Sequence, residues 1–211
     1  MSADPNIQVL VVEDHNVVRE GIVSIIDRQA DMTVVAEAKN GQQAVELHSE
    51  HSPDVTLMDL RMPQMDGLEA ITQIRKNSPK ANIIILTTYD TDEDIYQGLQ
   101  AGARGYLLKD ATSAELTKAV RQVNTGKRFL PSDVAAKLID RMEEEELTPR
   151  EKEVLELLVG GNGTSQMAKA LCVSEGTIKF HINNIFQKLG VSDRTQAVIT
   201  ALRRGLVRIT D

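Results

Sequence analysis

"VTLMDLRMPQMDG", residues 55–67, runs a short apolar stretch straight into a carboxylate, then into a loop carrying Pro63 and Gly67. A charge at the end of a buried strand is costly unless something nearby compensates it. Asp59 therefore calls for a cation or a donor beside it. Working outward, runs of strand character recur at 7–12 (IQVLVV), 33–38 (TVVAEA), 55–59 (VTLMD), 82–87 (NIIILT) and 105–109 (GYLLK). Between them lie helical patterns at roughly 15–29, 40–50, 66–77, 91–101 and 112–125, the first marked by Val17, Val18, Gly21, Ile22 and Ile25. Such alternation predicts βαβ units and an α/β fold with a five-stranded, doubly wound parallel sheet. The near-continuous apolar runs of strands 1, 3 and 4 place them at its buried centre.

Ligands of open parallel sheets gather at the carboxyl ends of the strands. Here those ends carry Glu13 and Asp14, Asp59, Thr87 and Lys109. Three carboxylates on one edge repel each other without a cation, and oxygen ligands with room for water suit Mg²⁺. The Lys109 amine and Thr87 hydroxyl suit the oxygens of an incoming phosphoryl group. Asp59, between metal and lysine, is then a nucleophile candidate, since carboxylates form acyl phosphates. Taken singly, each residue also reads as a cap or a surface charge; the set at one edge is what points to chemistry. Gly67 is expected to supply a backbone conformation or a close approach that a side chain would block.

The 211 residues are 41% hydrophobic and 26% charged, ordinary values for a soluble globular protein. No apolar run approaches 18 residues and "MSADPNIQ" has no signal-peptide character, so no membrane partner and a cytoplasmic location are expected. One cysteine, Cys172, excludes an internal disulfide; its apolar neighbours suggest a packed thiol. The net charge of −7 is uneven: 11 basic and 19 acidic side chains lie in residues 1–126, 4 and 6 in 127–146, and 9 and 6 in 147–211. An acidic first domain (1–126), a linker (127–146) and a mildly basic second domain (147–211) follow. The linker holds a helical stretch, 132–146, ending in four glutamates that read as a solvated face or as a spacer.

The second domain reads as a small all-α, four-helix unit: 149–159, 164–171, 175–189 and 193–203. Thr148, Pro149 and Glu151 form a capping box at its start, and Ser174 is the expected N-cap of the third helix. Along that helix Ile178, Ile182, Ile185 and Leu189 fall within about 60° at 100° per residue, a stripe that must face a core. The opposite side carries Phe180, Asn183 and Gln187, flanked by Lys179 and Asn184. Amides, a lysine and an apolar ring are the groups that read base edges; an ordinary solvated face is the alternative. A short helix and turn before it ("TSQMAKALCVSEG") give the helix-turn-helix arrangement, whose second helix enters the major groove.

Residues 7–125 resemble the receiver of a bacterial two-component response regulator, on Glu13-Asp14, "MDLRMPQMDG", "LTTYD" and "GYLLK". Residues 147–207 resemble the LuxR-type DNA-binding domain of NarL/FixJ regulators, on "LTPREKEVLELL", "MAKALCVSEGTIKFHINNIFQKLGV" and "RTQAVITALRRGLV". The first resemblance implies a flavodoxin-like fold, Asp59 as phospho-acceptor and Mg²⁺ held by Asp14, Asp59 and the backbone carbonyl of Arg61, with Glu13 acting through a water. It also implies Thr87 and Tyr106 as the switch pair and Lys109 as the partner of the phosphoryl group. The second implies Lys179, Phe180 and Asn183 as groove-facing positions, Thr177, His181 and Lys188 as phosphate or flank contacts, and 193–203 as the helix that pairs two copies. "GNGTSQM" departs from the family's Ser-Asn-x-Glu-Ile opening, with Gly163, Thr164 and Gln166 there. Implied partners are a sensor histidine kinase, double-stranded DNA, a second copy on activation and RNA polymerase. The implied function is a phosphorylation-controlled transcription factor whose only catalysis is on itself. A phosphatase-like hydrolase, a constitutive DNA binder and an RNA binder are the rival readings. Arg61 in place of an acid, the intact receiver set and the lack of stacking aromatics beyond Phe180 weigh against them in turn.

Overall fold

Strand β3 (Val55–Met58) is buried at every position, as is β4 (Ile83–Thr87). Both need cover on two faces and neighbours on two edges, and the topology supplies this. In the computed structural model, which describes residues 6–88, 91–143 and 145–207 (without the side chains of 140–143), five parallel strands run in the order β2-β1-β3-β4-β5. Strand β1 is Ile7–Val12, β2 Met32–Ala38 and β5 Gly105–Leu108. Tyr89 and Asp90 of the LTTYD motif and Glu144 of the glutamate run lie outside the described residues.

Alternation along each strand sorts side chains to two faces. Val9, Val11, Val55, Leu57, Ile84, Leu86 and Leu107 share one core with Ile22 and Ile26 of α1 (Asn16–Asp27) and with Leu116, Val120 and Val123 of α5 (Ser113–Asn124). The opposite set, Leu10, Val12, Met58, Ile83, Ile85 and Tyr106, is equally buried. The remaining helices of this layer system are α2 (Gly41–His51), α3 (Gly67–Asn77) and α4 (Asp92–Gln100). Three of these helices start at a side-chain cap: Asn40 and Asp66 accept from the backbone of Gln43 and Glu69, and Thr112 with Glu115 forms a capping box. The order reverses between β1 and β3, paired from Val9 with Val55 to Val12 with Met58. A crevice for ligands belongs there.

The chain divides into two compact units, residues 1–90 with 95–136, and residues 137–211 with 91–94. The division falls within α6 (Ser132–Glu143). Phe129, in the expected linker, bridges to Gly105 at the sheet edge and packs on the core. The second unit holds α7 (Pro149–Val159), α8 (Thr164–Ala170), α9 (Glu175–Leu189) and α10 (Arg194–Arg203). Val154, Leu155, Leu158, Met167, Ile178, Ile185, Leu189, Ala197 and Ala201 form its core. Thr148 and Glu151 make the expected capping box and Ser174 caps α9. Gly163 brings no side chain to the start of α8, but Gln166 Oε1 still accepts from the Gly163 N–H at 2.7 Å. Cys172 corrects the sequence reading: it is exposed, not packed. The turn after α8 holds it at φ +54°, while its neighbours Leu171 and Val173 take the core contacts.

Candidate functional site

Because β1 and β3 flank the reversal of strand order, the residues just past their ends meet. Asp59 follows β3, is 3% exposed and has its backbone N–H donated to the Val12 carbonyl at 3.0 Å. Glu13, 1% exposed, follows β1. Between them reaches Lys109 from the end of β5, its Nζ 2.8 Å from Asp59 Oδ2 and 2.7 Å from Glu13 Oε2. Burial pulls the Lys109 pKa down, but hydrogen bonds and charge from Asp59 and Glu13 outweigh it, so the ammonium is held above its ordinary value. The compensation that Asp59 demanded is thus present within the chain.

One ammonium does not neutralise three carboxylates. The Asp14 side chain, 25% exposed, opens the cluster to solvent, and ligand atoms of Glu13, Asp14, His15 and Asp59 all lie within 4.8 Å of one another. This surplus of anionic oxygens at an open edge fits a hard divalent cation such as Mg²⁺. The Arg61 backbone lies alongside, its N–H 3.4 Å from Asp59 Oδ1. Thr87 ends β4, fully buried, and Tyr106 lies in β5 opposite Ile85, also fully buried.

Two contributors escaped the sequence reading. His15 Nδ1 lies 2.8 Å from Asp14 Oδ1 and 3.1 Å from Glu13 Oε1, and those two carboxylates, Asp14 foremost, raise its pKa. Its place directly after the acidic pair was the available signal. Arg19, buried one turn into α1, donates from Nη1 to the Glu13 carbonyl at 2.8 Å, from Nη2 to Asn16 Oδ1 at 2.8 Å and from Nε to Glu37 Oε2 at 3.1 Å. An arginine inside an apolar helical stripe is such a signal too. Of the two reasons expected for Gly67, a backbone conformation or a close approach, the structure shows the second: a Cβ there would run into the Asp59 carbonyl oxygen. The loop after Asp59 closes back on it that tightly.

On α9, Lys179, Phe180, Asn183 and Gln187 are exposed on the side away from the core stripe. Thr177 and His181 are half-buried; Thr177 joins the Ser174 cap, and the His181 ring meets Phe180 edge-on at 5.7 Å. Lys188 is engaged inside the unit, with Nζ 2.9 Å from Glu151 Oε2 and 2.8 Å from the Glu146 carbonyl. Four of the seven expected contact residues therefore share the outward face.

A parallel sheet with an acidic crevice and a paired lysine, followed by a helix-turn-helix unit, defines a class of protein. Residues 9–121 match the family of response regulator receiver domains, and residues 145–201 match the luxR family of bacterial regulatory proteins. The chain belongs to the response regulators that join these two domains. Response regulator protein VraR of Staphylococcus saprophyticus is 39% identical over 207 residues, covering 96% of this chain and 99% of VraR. The RcsB response regulator of Salmonella typhimurium is similar in structure, with a TM-score of 0.74 at 28% identity over 92% of this chain and 98% of that one. An RcsB–DNA complex matches with a TM-score of 0.72 at 27% identity, over 94% and 98%. Among the described residues no helix is long and apolar enough to cross a membrane.

Proposed function

We propose that Asp59 is the phospho-acceptor and that its phosphorylation by a sensor histidine kinase controls dimerisation and sequence-specific binding to double-stranded promoter DNA. The observation that carries this is the ammonium of Lys109, placed between two buried carboxylates at the switch point of the sheet. An Asp59 oxygen attacks the phosphorus of a phosphohistidine; the P–O bond forms as the P–N bond breaks, and the imidazole leaves. Lys109 and the Thr87 hydroxyl then hold the phosphoryl oxygens. A Mg²⁺ ion held by Asp14, Asp59 and the Arg61 carbonyl, with Glu13 through a water, would neutralise charge during transfer. Attack of water on the acyl phosphate restores Asp59, so the receiver catalyses only its own phosphorylation and dephosphorylation. Movement of Thr87 toward the phosphoryl group frees space for Tyr106, which couples the site to the surface of α4, β5 and α5.

In this reading residues 1–126 form the receiver, 127–146 the connecting segment and 147–211 the output domain, acting in the cytoplasm. Lys179, Phe180, Asn183 and Gln187 read the groove; Thr177 and His181 flank it. The engagement of Lys188 with Glu151 argues for a supporting role there instead of a phosphate contact. Ile199, 59% exposed on α10, gives a pairing surface for a second copy on DNA. RNA polymerase is the downstream partner.

The test is incubation with acetyl phosphate and Mg²⁺ followed by intact-mass spectrometry. Wild type gains one phosphoryl group, Asp59→Asn gains none, and Lys109→Ala is slowed at least about tenfold. Thr87→Ala takes up the group without a change in DNA affinity. Equal labelling of Asp59→Asn and wild type would remove Asp59 as the acceptor.

A further inference from the structure

Phe180 is 61% exposed, whereas the other two phenylalanines, Phe129 and Phe186, pack against the two cores. The ring projects from a rigid element: α9 runs 15 residues, capped by Ser174 at its start and closed by Gly190 at φ +66°. At 100° per residue Gly176, Phe180, Asn183 and Gln187 fall within about 60° of one another. All four are exposed. The edge of His181, 5.7 Å away with the ring planes at 65°, steadies the phenyl group from the side. Gly176, one turn earlier, has no side chain to hold a partner surface away from the ring.

The neighbours of Phe180 on this face are amides and an amine, groups that pair with polar edges. The ring has no such capacity, so on a helix that enters the groove the group it can pack on is an apolar one. Among the base edges of the major groove the thymine C5-methyl is the apolar group. We infer that Phe180 is a specificity-determining residue that packs on a thymine methyl in each half-site, next to an adenine read by Asn183. The spacing sets the distance between the two bases. Three residues advance a helix by about 4.5 Å, and base pairs rise about 3.4 Å, so the thymine and adenine lie within one or two base pairs. This rests on the reading of α9 as the groove-entering helix and adds which base, and which atom of it, decides the site.

The test uses the full chain phosphorylated with acetyl phosphate and Mg²⁺, and a duplex selected from random sequence by that protein. Each thymine is replaced singly by deoxyuridine, which removes the methyl and leaves every hydrogen bond in place. At one thymine per half-site, one or two base pairs from an adenine, binding weakens about fourfold, the loss expected for one buried methyl. Phe180→Ala binds the parent duplex more weakly and shows no further loss with deoxyuridine; Phe180→Leu keeps part of the discrimination. A selected duplex that is indifferent to every single methyl, or a methyl effect that persists in Phe180→Ala, overturns the inference and leaves DNA binding by α9 standing. Failure to enrich any sequence would take that binding function down and the inference with it.

Discussion

Arg19 shows how one side chain fixes an acidic edge from behind. Its guanidinium is buried and spends its donors on the Glu13 carbonyl, Asn16 and Glu37, so the turn that presents Glu13 and Asp14 is tied to α1. Arg19→Met keeps the stem and removes those bonds, leaving a buried carbonyl without its donor. We expect a loss of about 2 kcal/mol in urea unfolding, with Mg²⁺ affinity by calorimetry about tenfold weaker, as for other residues that orient ligands. A variant with unchanged Mg²⁺ affinity would show that the turn holds itself. His48 makes a second point at this scale. It is buried in α2, and burial keeps its pKa below the ordinary 6.5. The folded chain therefore stays neutral there while the unfolded chain takes up a proton, so this residue costs stability as pH falls through and below 6.5 and nothing well above it. Between about pH 7.5 and about 5.5 the melting temperature should therefore fall further in wild type than in His48→Leu; equal falls would show that His48 does not contribute.

At the scale of elements, α7 and α9 are joined by the capping box itself. Glu151 caps α7 through the Thr148 N–H at 2.8 Å and is also the partner of Lys188, 37 residues on. Burial pushes the Glu151 pKa up, but Lys188 and the Thr148 hydrogen bonds outweigh it and leave it lowered; this stabilisation is present above the unfolded value and is lost as pH falls through the folded one. Lys188→Met strands a buried carboxylate and should cost about 3 kcal/mol in the unfolding of the second unit. Unchanged stability with weakened DNA binding would return Lys188 to a phosphate role. The contrast between this pair and the rest shows what sequence carries. Strand and helix positions were legible to within a residue or two, because periodicity and caps such as Thr148 and Ser174 are local; the linker helix, expected over 132–146, ends at Glu143, where the run of like charges carries no apolar periodicity. The meeting of Glu13, Asp59 and Lys109 was legible because a parallel topology puts strand ends on one edge. The Lys188–Glu151 pair was not, since it depends on how two helices cross. Nor was the outward turn of Cys172, since flanking apolar residues do not reveal a left-handed backbone.

For the whole molecule the account joins a covalent input at Asp59 to a reading face on α9. A coupling of this kind exists only if phosphorylation favours one of two states, and an affinity change of five- to 150-fold is the ordinary range, about 1–3 kcal/mol. On the input side of the proposed scheme stand a buried Asp59 carboxylate, the ammonium paired with it and an open anionic edge. On its output side stands the exposed set around Phe180 and Asn183. The most direct measurement is fluorescence anisotropy of a selected duplex titrated with the full chain, before and after acetyl phosphate with Mg²⁺, for wild type and Asp59→Asn. The account predicts at least about fivefold tighter binding by phosphorylated wild type and no response in Asp59→Asn; equal affinity of wild type in both states, or an equal response in the variant, would contradict it.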